Sequence, residues 1–486
     1  MLPWKTIIRI ERQAIVPVYL QIANAVIREI SQGRLEPGQK IPGSRQMAGL
    51  LELNRKTVSN AYSELEGQGW LEVRPSSGVF VVSSLPTVQY QDIGFSSNGP
   101  IQKVDLEFNH FKSIEPYRKL EKYQHMIDDG SPDVRLAPLN TLMKYCRSVA
   151  NSRYGKKLLS YDDVQGEATL RIVLSHYLRE TRGMDCKPEN IVITRGSQMG
   201  IYLVFNMLLT NGDKVVVGNP NYDAANWVMQ TAGADLEDIP VDKEGISIDA
   251  FKKKCSEFDI KATYITPHHH FPTTVTLNAQ RRMELLELAE QHRFAIVEDD
   301  YDYDFHYNSA PILPLASVDK KGLVIYIGSF SKLLAPSVRV GYIVAPEEMV
   351  AEINKLRRIV DRQGDPITER AIAEMLKDGE VQRHLKKAVK VYRERRDLFC
   401  DLLEKDFTEH FEFQRPEGGM AVWVHFKKKI EDKIFFEKCK DFGLYKNVDR
   451  EFLKKRGALR MGFASLNEKE IKGALGVLKS VMESLV

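Results

Sequence analysis

The sequence predicts a multidomain chain: a small three-helix module with a β-hairpin at its N-terminal end, followed by a large α/β unit with a mostly parallel sheet. Three observations predict it. The chain has 486 residues, more than one domain ordinarily holds. Three helical segments, one of them strongly amphipathic, precede residue 70, and two short strand-like runs follow them. From about residue 129 onward, strand-like runs alternate with helical segments, as in a layered α/β unit.

In the first module, Tyr19, Ile22, Val26 and Ile30 lie at helical spacing between Pro17 and Gln32, and Gly33 supplies a stop. Pro37-Gly38 marks a turn. Ser44 is expected to cap a second helix running to about Leu51. Asn54 is expected to cap a third, with Val58, Ala61, Tyr62 and Leu65 facing inward and Lys56, Thr57, Asn60 and Ser63 outward. Leu71-Glu72-Val73-Arg74 and Val79-Phe80-Val81-Val82 flank Pro75-Ser76-Ser77-Gly78, a hairpin. Three helices and a hairpin make a winged helix-turn-helix over residues 1–83. Residues 84–128 are irregular, with Ser83-Ser84-Leu85-Pro86 and Ser96-Ser97-Asn98-Gly99-Pro100, and read as a linker. The α/β unit spans residues 129–486, its strands expected at 191–194, 214–217, 262–265, 294–297 and 323–327.

Composition narrows the class. Hydrophobic residues make up 43% and charged residues 28%, which suits a soluble globular protein. No apolar run approaches a membrane span of roughly 18 residues, and no signal peptide is evident. The five cysteines are scattered and form no C-x-x-C pair, as in a reduced cytoplasmic protein. Net charge is only +3, so any nucleic-acid surface must be local.

The chemistry concentrates at strand ends. Lys332 sits in Gly328-Ser329-Phe330-Ser331-Lys332, directly after one strand, and Arg339 follows seven residues later. Another strand ends in Glu298-Asp299-Asp300-Tyr301. An amine for a Schiff base, a carboxylate for a pyridinium nitrogen and donors for a phosphate suit pyridoxal 5'-phosphate (PLP). Lys332 is the candidate amine, since a desolvated ammonium sheds its proton as an arginine does not. Asp299 would keep the ring nitrogen protonated, and Tyr301 would donate to the ring's phenolic oxygen. Within the acidic trio the assignment is open from sequence alone. Ser197 and Gln198 open a helix whose free N–H groups suit a phosphate, with Ser329 and Arg339 adding donors. Tyr222 is either a ring-stacking aromatic or a core tyrosine. His268-His269-His270 invites a metal reading, but in an extended run His269 would oppose its neighbours. A pocket-lining histidine or a packing feature is the expectation, and no metal site is assigned.

These motifs resemble a known combination. Ser44-Arg45-Gln46-Met47-Ala48, Arg55-Lys56-Thr57-Val58, Ala61-Tyr62 and Gly67-Gln68-Gly69-Trp70-Leu71 resemble a GntR-type winged helix. Residues 298–301, 329–341 and 266–274 resemble a fold type I aminotransferase. The fusion in this order resembles the MocR family of PLP-dependent transcriptional regulators. The resemblance implies a large sheet domain with a smaller C-terminal α+β domain. It implies that Lys332 carries the cofactor, with Asp299, Tyr301, Ser197, Gln198, Ser329 and Arg339 around it. Tyr161 resembles the tyrosine that reaches a neighbouring subunit's phosphate, which implies a homodimer. Arg460, in Leu459-Arg460-Met461-Gly462-Phe463, resembles the arginine that grips a ligand carboxylate. One departure stands out: Phe271-Pro272-Thr273-Thr274 replaces the Asn-Pro-x-Gly of ordinary aminotransferases, so the asparagine contact to the phenolic oxygen is missing.

Double-stranded DNA is the expected partner of the first module. Arg55, Lys56, Thr57 and Asn60 would face the major groove, with Arg45 near a phosphate or base, and Arg74, Ser76 and Ser77 at the wing tip. The functional expectation is a DNA-binding regulator whose aminotransferase-like domain senses PLP, a small amino compound, or both. The alternative is an active aminotransferase, working on an amino acid and a 2-oxo acid, that happens to carry a DNA-binding module.

Overall fold

A computed structural model describes residues 3–11, 14, 16–84, 107, 114, 123, 125–307, 312–446, 453 and 456–485. The linker expected over 84–128 falls almost wholly outside the described residues. The chain divides into two compact units, Met1–His110 and Phe111–Val486.

The first unit has helices α1 (Trp4–Ile7), α2 (Val18–Ser31), α3 (Ser44–Leu51) and α4 (Arg55–Gly67), and strands β1 (Lys40–Ile41), β2 (Leu71–Arg74) and β3 (Gly78–Val81). α2 buries Ile22, Val26 and Ile30 on one stripe and ends before Gly33, whose φ of +70° closes the turn. Asn54 caps α4, its side chain accepting from Lys56 N–H at 2.9 Å. The expected cap at Ser44 is displaced by one residue: Gly43 is the cap and Ser44 the first helical residue, with no side-chain bond to the helix. Val58, Ala61, Tyr62 and Leu65 of α4 meet Ile22, Val26 and Met47 in one core, and the Tyr62 hydroxyl donates to the Pro42 carbonyl at 2.7 Å. The wing has three antiparallel strands in order β1-β3-β2, one more than the sequence predicts. α1 is also unforeseen. Its Trp4, with Ile8 just beyond it, is buried in the same core.

The second unit is built on an eight-stranded mixed sheet. Beside β4 (His125–Ile127), its strands are β5 (Ile191–Thr194), β6 (Lys214–Asn219), β7 (Asp235–Asp242), β8 (Gly245–Ile246), β9 (Ile260–Ile265), β10 (Ala295–Asp300), β11 (Val324–Ser329) and β12 (Gly341–Val344). Their order is β5-β12-β11-β10-β9-β6-β7-β8. The run from β11 to β7 is parallel, as expected. β12 enters antiparallel between β5 and β11, and β8 pairs antiparallel at the edge. β5 and β10 are buried along their whole length, as strands covered by helices on both faces must be.

A second sheet, β13 (Phe411–Phe413), β14 (Ala421–Phe426) and β16 (Ala458–Gly462), is antiparallel. β15 (Leu444–Lys446) pairs with β4. The helices Glu380–Asp406 and Glu468–Glu483 cover this smaller α+β part, whose core holds Phe399, Leu403, Val422, Leu459 and Leu478.

The register brings the ends of three elements together. Asp300 pairs with Gly328, and Gly341 pairs with both Ser329 and Thr194. A Cβ on Gly341 would meet the Gly196 backbone at 2.7 Å, so only glycine lets the loop after β5 close over this edge. Ligands of open α/β sheets bind outside the carboxyl ends of the strands, and here those ends converge on one cavity.

Candidate functional site

The cavity is about 140 Å3 and lies where the ends of β9, β10 and β11 meet the helix Ser197–Leu208 and the start of the smaller sheet domain. Six residues singled out from the sequence line it: Lys332, Asp299, Tyr301, Tyr222, Ser197 and Arg460. Sequence reasoning missed Asp129, Gly130, Tyr264, Thr266 and Phe271 as lining groups. For Tyr264 a signal existed, because it stands one residue from the end of a predicted strand.

Lys332 reaches across the cavity, and its Nζ donates to the Gly130 carbonyl at 2.8 Å. The acidic trio, ambiguous in sequence, separates cleanly. Glu298 turns away and accepts from the backbone N–H groups of Leu315 and Ala316 at 2.9 and 3.0 Å. Asp300 accepts from the Tyr326 hydroxyl at 2.7 Å and lies 2.9 Å from His268 Nδ1. Only Asp299 faces the cavity. Its Oδ2 accepts from the Tyr264 hydroxyl at 2.8 Å, while its Oδ1 is buried with no partner among the described residues. Burial raises its pKa to about 7, against the pull of the Tyr264 hydrogen bond.

The Tyr301 hydroxyl donates to the His269 carbonyl at 2.9 Å and receives a long bond from Arg460 Nη2 at 3.4 Å. Arg460 is anchored to the site by two other donors. Nε bonds to the Asp129 carbonyl and Nη1 to the Pro272 carbonyl, both at 2.8 Å, and the guanidinium stacks 4.8 Å from the Phe271 ring. Tyr222 meets Phe271 edge to face at 5.1 Å and donates to Gln198 Oε1 at 3.2 Å.

Gly196 precedes the helix Ser197–Leu208 with φ +80°, and a Cβ there would strike the Arg339 guanidinium at 2.7 Å. Arg339 Nη2 in turn donates to the Arg195 carbonyl at 2.8 Å. A cation and a helix N-terminus are thus stacked at one corner. Ser329 Oγ accepts from Ser331 N–H at 3.1 Å, and Ser331 Oγ is buried without a partner among the described residues. Tyr161 does not line the cavity. It is 77% exposed, with the Arg362 guanidinium 4.3 Å from its ring.

The histidines pack behind the site. All three are buried, and none lines the cavity, which corrects the option of a pocket histidine. His269 Nδ1 lies 2.8 Å from Asp302, and His270 Nε2 lies 2.8 Å from the Pro220 carbonyl. Burial lowers the His270 pKa to about 4, so His270 is neutral and donates that bond.

On the first unit, Arg45, Arg55 and Lys56 are exposed and Thr57 is half-buried, at the starts of α3 and α4, and Asn60 is exposed in the second turn of α4. Arg74 is exposed on the wing, ion-paired with Glu72 and stacked 4.5 Å from the Phe80 ring. Ser76 sits at the exposed wing tip with φ +61°.

Residues 135–478 match the family described as aminotransferase class I and II, and residues 18–81 match the bacterial regulatory proteins of the gntR family. The chain belongs to the aminotransferase class I and II family and carries a GntR helix-turn-helix domain ahead of it. Its layout is that of the MocR-like transcriptional regulators. It is 26% identical over 486 residues to the probable rhizopine catabolism regulatory protein MocR of Rhizobium meliloti, covering 98% of this chain and 96% of that one. An uncharacterized aminotransferase of Saccharolobus solfataricus is 31% identical across 70% of this chain and 86% of its own length. The solved kynurenine aminotransferase of Pyrococcus horikoshii superposes with a TM-score of 0.69 at 27% identity, covering 74% of this chain and 90% of that one.

The family implies PLP dependence, and the residues fit that cofactor. Asp299 offers a buried, unpartnered carboxylate oxygen, Lys332 an amine in the same cavity, and the Gly196–Arg339 corner a cradle that a side chain at 196 would fill.

Proposed function

We propose that this protein is a DNA-binding transcription regulator that holds PLP on Lys332 and reads the cofactor, or an amino compound joined to it, as a signal. One observation carries the reading: a winged helix with an exposed polar α4 face shares a chain with a cavity where Lys332, Asp299 and Arg460 converge. In this reading residues 1–83 bind DNA, 84–128 link, and 129–486 sense. Bound PLP supplies an aldehyde that condenses with amines and a ring that withdraws electrons.

The chain's own groups do the rest. Asp299 holds a proton on the ring nitrogen, and Tyr301 and Tyr222 orient the ring. Ser197, Gln198, Ser329 and Arg339 hold the phosphate, and Arg460 binds a ligand carboxylate. The exposed Tyr161 completes the phosphate site of a second subunit in a cytoplasmic homodimer. A ligand then shifts DNA occupancy only by its differential affinity for the two domain arrangements.

A second reading, an active aminotransferase, draws on the same convergence of Lys332, Asp299 and Arg460 in one cavity. Incubating the PLP-loaded protein with amino acids and 2-oxo acids separates the two. A regulator gives a saturable change in cofactor absorbance, alters DNA binding and shows no sustained turnover. Sustained turnover, abolished in Lys332→Ala and without effect on DNA, refutes the regulator reading.

A further inference from the structure

Four charged residues line the cavity: Asp129, Asp299, Lys332 and Arg460. Given the PLP-sensing reading, three of them are accounted for. Asp299 pairs with the protonated ring nitrogen, Lys332 serves the aldehyde carbon, and Arg460 takes a ligand carboxylate. The ligand's own reacting amine would be taken up at the aldehyde carbon, beside the ring's phenolic oxygen, and would not be left over for a fourth partner. The Asp129 carboxylate is left over.

The structure holds Asp129 in this place. Its backbone carbonyl accepts from Arg460 Nε at 2.8 Å, and the carbonyl of the next residue, Gly130, accepts from Lys332 Nζ at 2.8 Å. Its side chain receives no hydrogen bond or ion pair among the described residues, the one bond to Asp129 being at the backbone carbonyl. The Asp129 charge is felt at the cavity wall, where with burial and Asp299 it raises the Tyr222 hydroxyl to about 12. A carboxylate that is partly withdrawn from water beside a ligand cavity and left unpaired selects for a cation.

We infer that the amino compound recognised here is a short amino acid with a second, distal ammonium, and that Asp129 binds that ammonium while Arg460 binds the carboxylate. The two groups are neighbours, since the Asp129 carbonyl accepts from Arg460 Nε at 2.8 Å, and that closeness calls for a short side chain between the ligand's carboxylate and its distal ammonium. A ligand with a distal carboxylate would meet Asp129 as a like charge and be excluded. The competing role for Asp129 is as a counter-charge to Lys332, which would make it matter equally for every ligand.

The test uses the full chain loaded with PLP and three probes of similar length: L-ornithine, L-norvaline and L-glutamate. Each is titrated, and the change in cofactor absorbance gives its affinity. Ornithine is expected to bind about tenfold or more tighter than norvaline, the scale of a charge-assisted hydrogen bond, and glutamate weakest. In Asp129→Asn the ornithine-to-norvaline ratio is expected to fall to near one. Equal affinities in the unmodified protein, or equal weakening of all three ligands in the variant, overturn the inference while leaving the PLP-sensing reading intact. If PLP gives no visible absorbance, or no amino acid alters it, the sensing reading itself fails and takes this inference with it.

Discussion

Replacing Asp299 by asparagine is expected to stabilise the cofactor-free protein while weakening its hold on PLP. The Asp299 carboxyl is almost wholly buried, and burial raises its pKa from 3.8 to about 7. A raised carboxyl contributes its full share of stability below its ordinary pKa and loses it as pH rises through the folded value. Relative to a permanently neutral group, Asp299 therefore costs the fold about 4 kcal/mol at pH 8, where the buried charge is present, and about 2 kcal/mol at pH 5, where the folded chain keeps it protonated while the unfolded chain ionises. Asparagine keeps an acceptor for the Tyr264 hydroxyl and never carries that charge. Urea denaturation of both cofactor-free proteins at pH 5 and pH 8 gives the comparison. The variant's advantage should be about twice as large at pH 8, and the same variant should retain PLP poorly in dialysis followed by visible absorbance. A pH-independent difference, or a variant less stable than its parent at pH 8, would mean that Asp299 carries no ionisation penalty in the fold.

Other expectations follow from particular residues. Thr274 is β-branched at φ +64° in the tight turn that joins its N–H to the His270 carbonyl; Thr274→Gly should raise stability by about 1 kcal/mol, read as a higher melting temperature, and no gain would mean the turn is unstrained. Tyr161→Phe should lower PLP affinity in the dimer without disturbing the fold, since Tyr161 is exposed; unchanged affinity would remove it from the phosphate site. DNA affinity should fall about 10³–10⁵-fold between 50 and 200 mM salt if about 6–10 phosphates are contacted. Lys56→Ala should flatten that salt dependence, and a salt-insensitive complex would contradict an interface built on Arg45, Arg55 and Lys56.

Much of the architecture was legible because it is written in local periodicity. The stripe of α2, the Asn54 cap and the apolar runs of β5, β6, β9, β10 and β11 all follow from residues close in sequence. What escaped the sequence depends on partners far along the chain. Strand periodicity places residues 298–300 at the end of β10 but cannot say that Glu298 is stapled to Leu315 and Ala316 while Asp299 faces a cavity. Nothing in Gly341–Val344 reveals an antiparallel strand, because direction is set by the connection from Lys332 rather than by composition. The histidine run left a pocket-lining and a packing role open, and the packing role is the one found: its members meet Asp300, Asp302 and the Pro220 carbonyl, each about thirty to fifty residues away in sequence. Trp4 joined the first core from outside the helical pattern altogether.

In the proposed function, cofactor state governs DNA occupancy. The most direct measurement is footprinting of the pure protein on DNA upstream of its own gene, with and without PLP, beside Lys332→Ala. Protection of paired half-sites should change on adding PLP and no longer respond in the variant. Absence of protection at low salt, or protection of the unmodified protein that is the same with and without PLP, would overturn that reading.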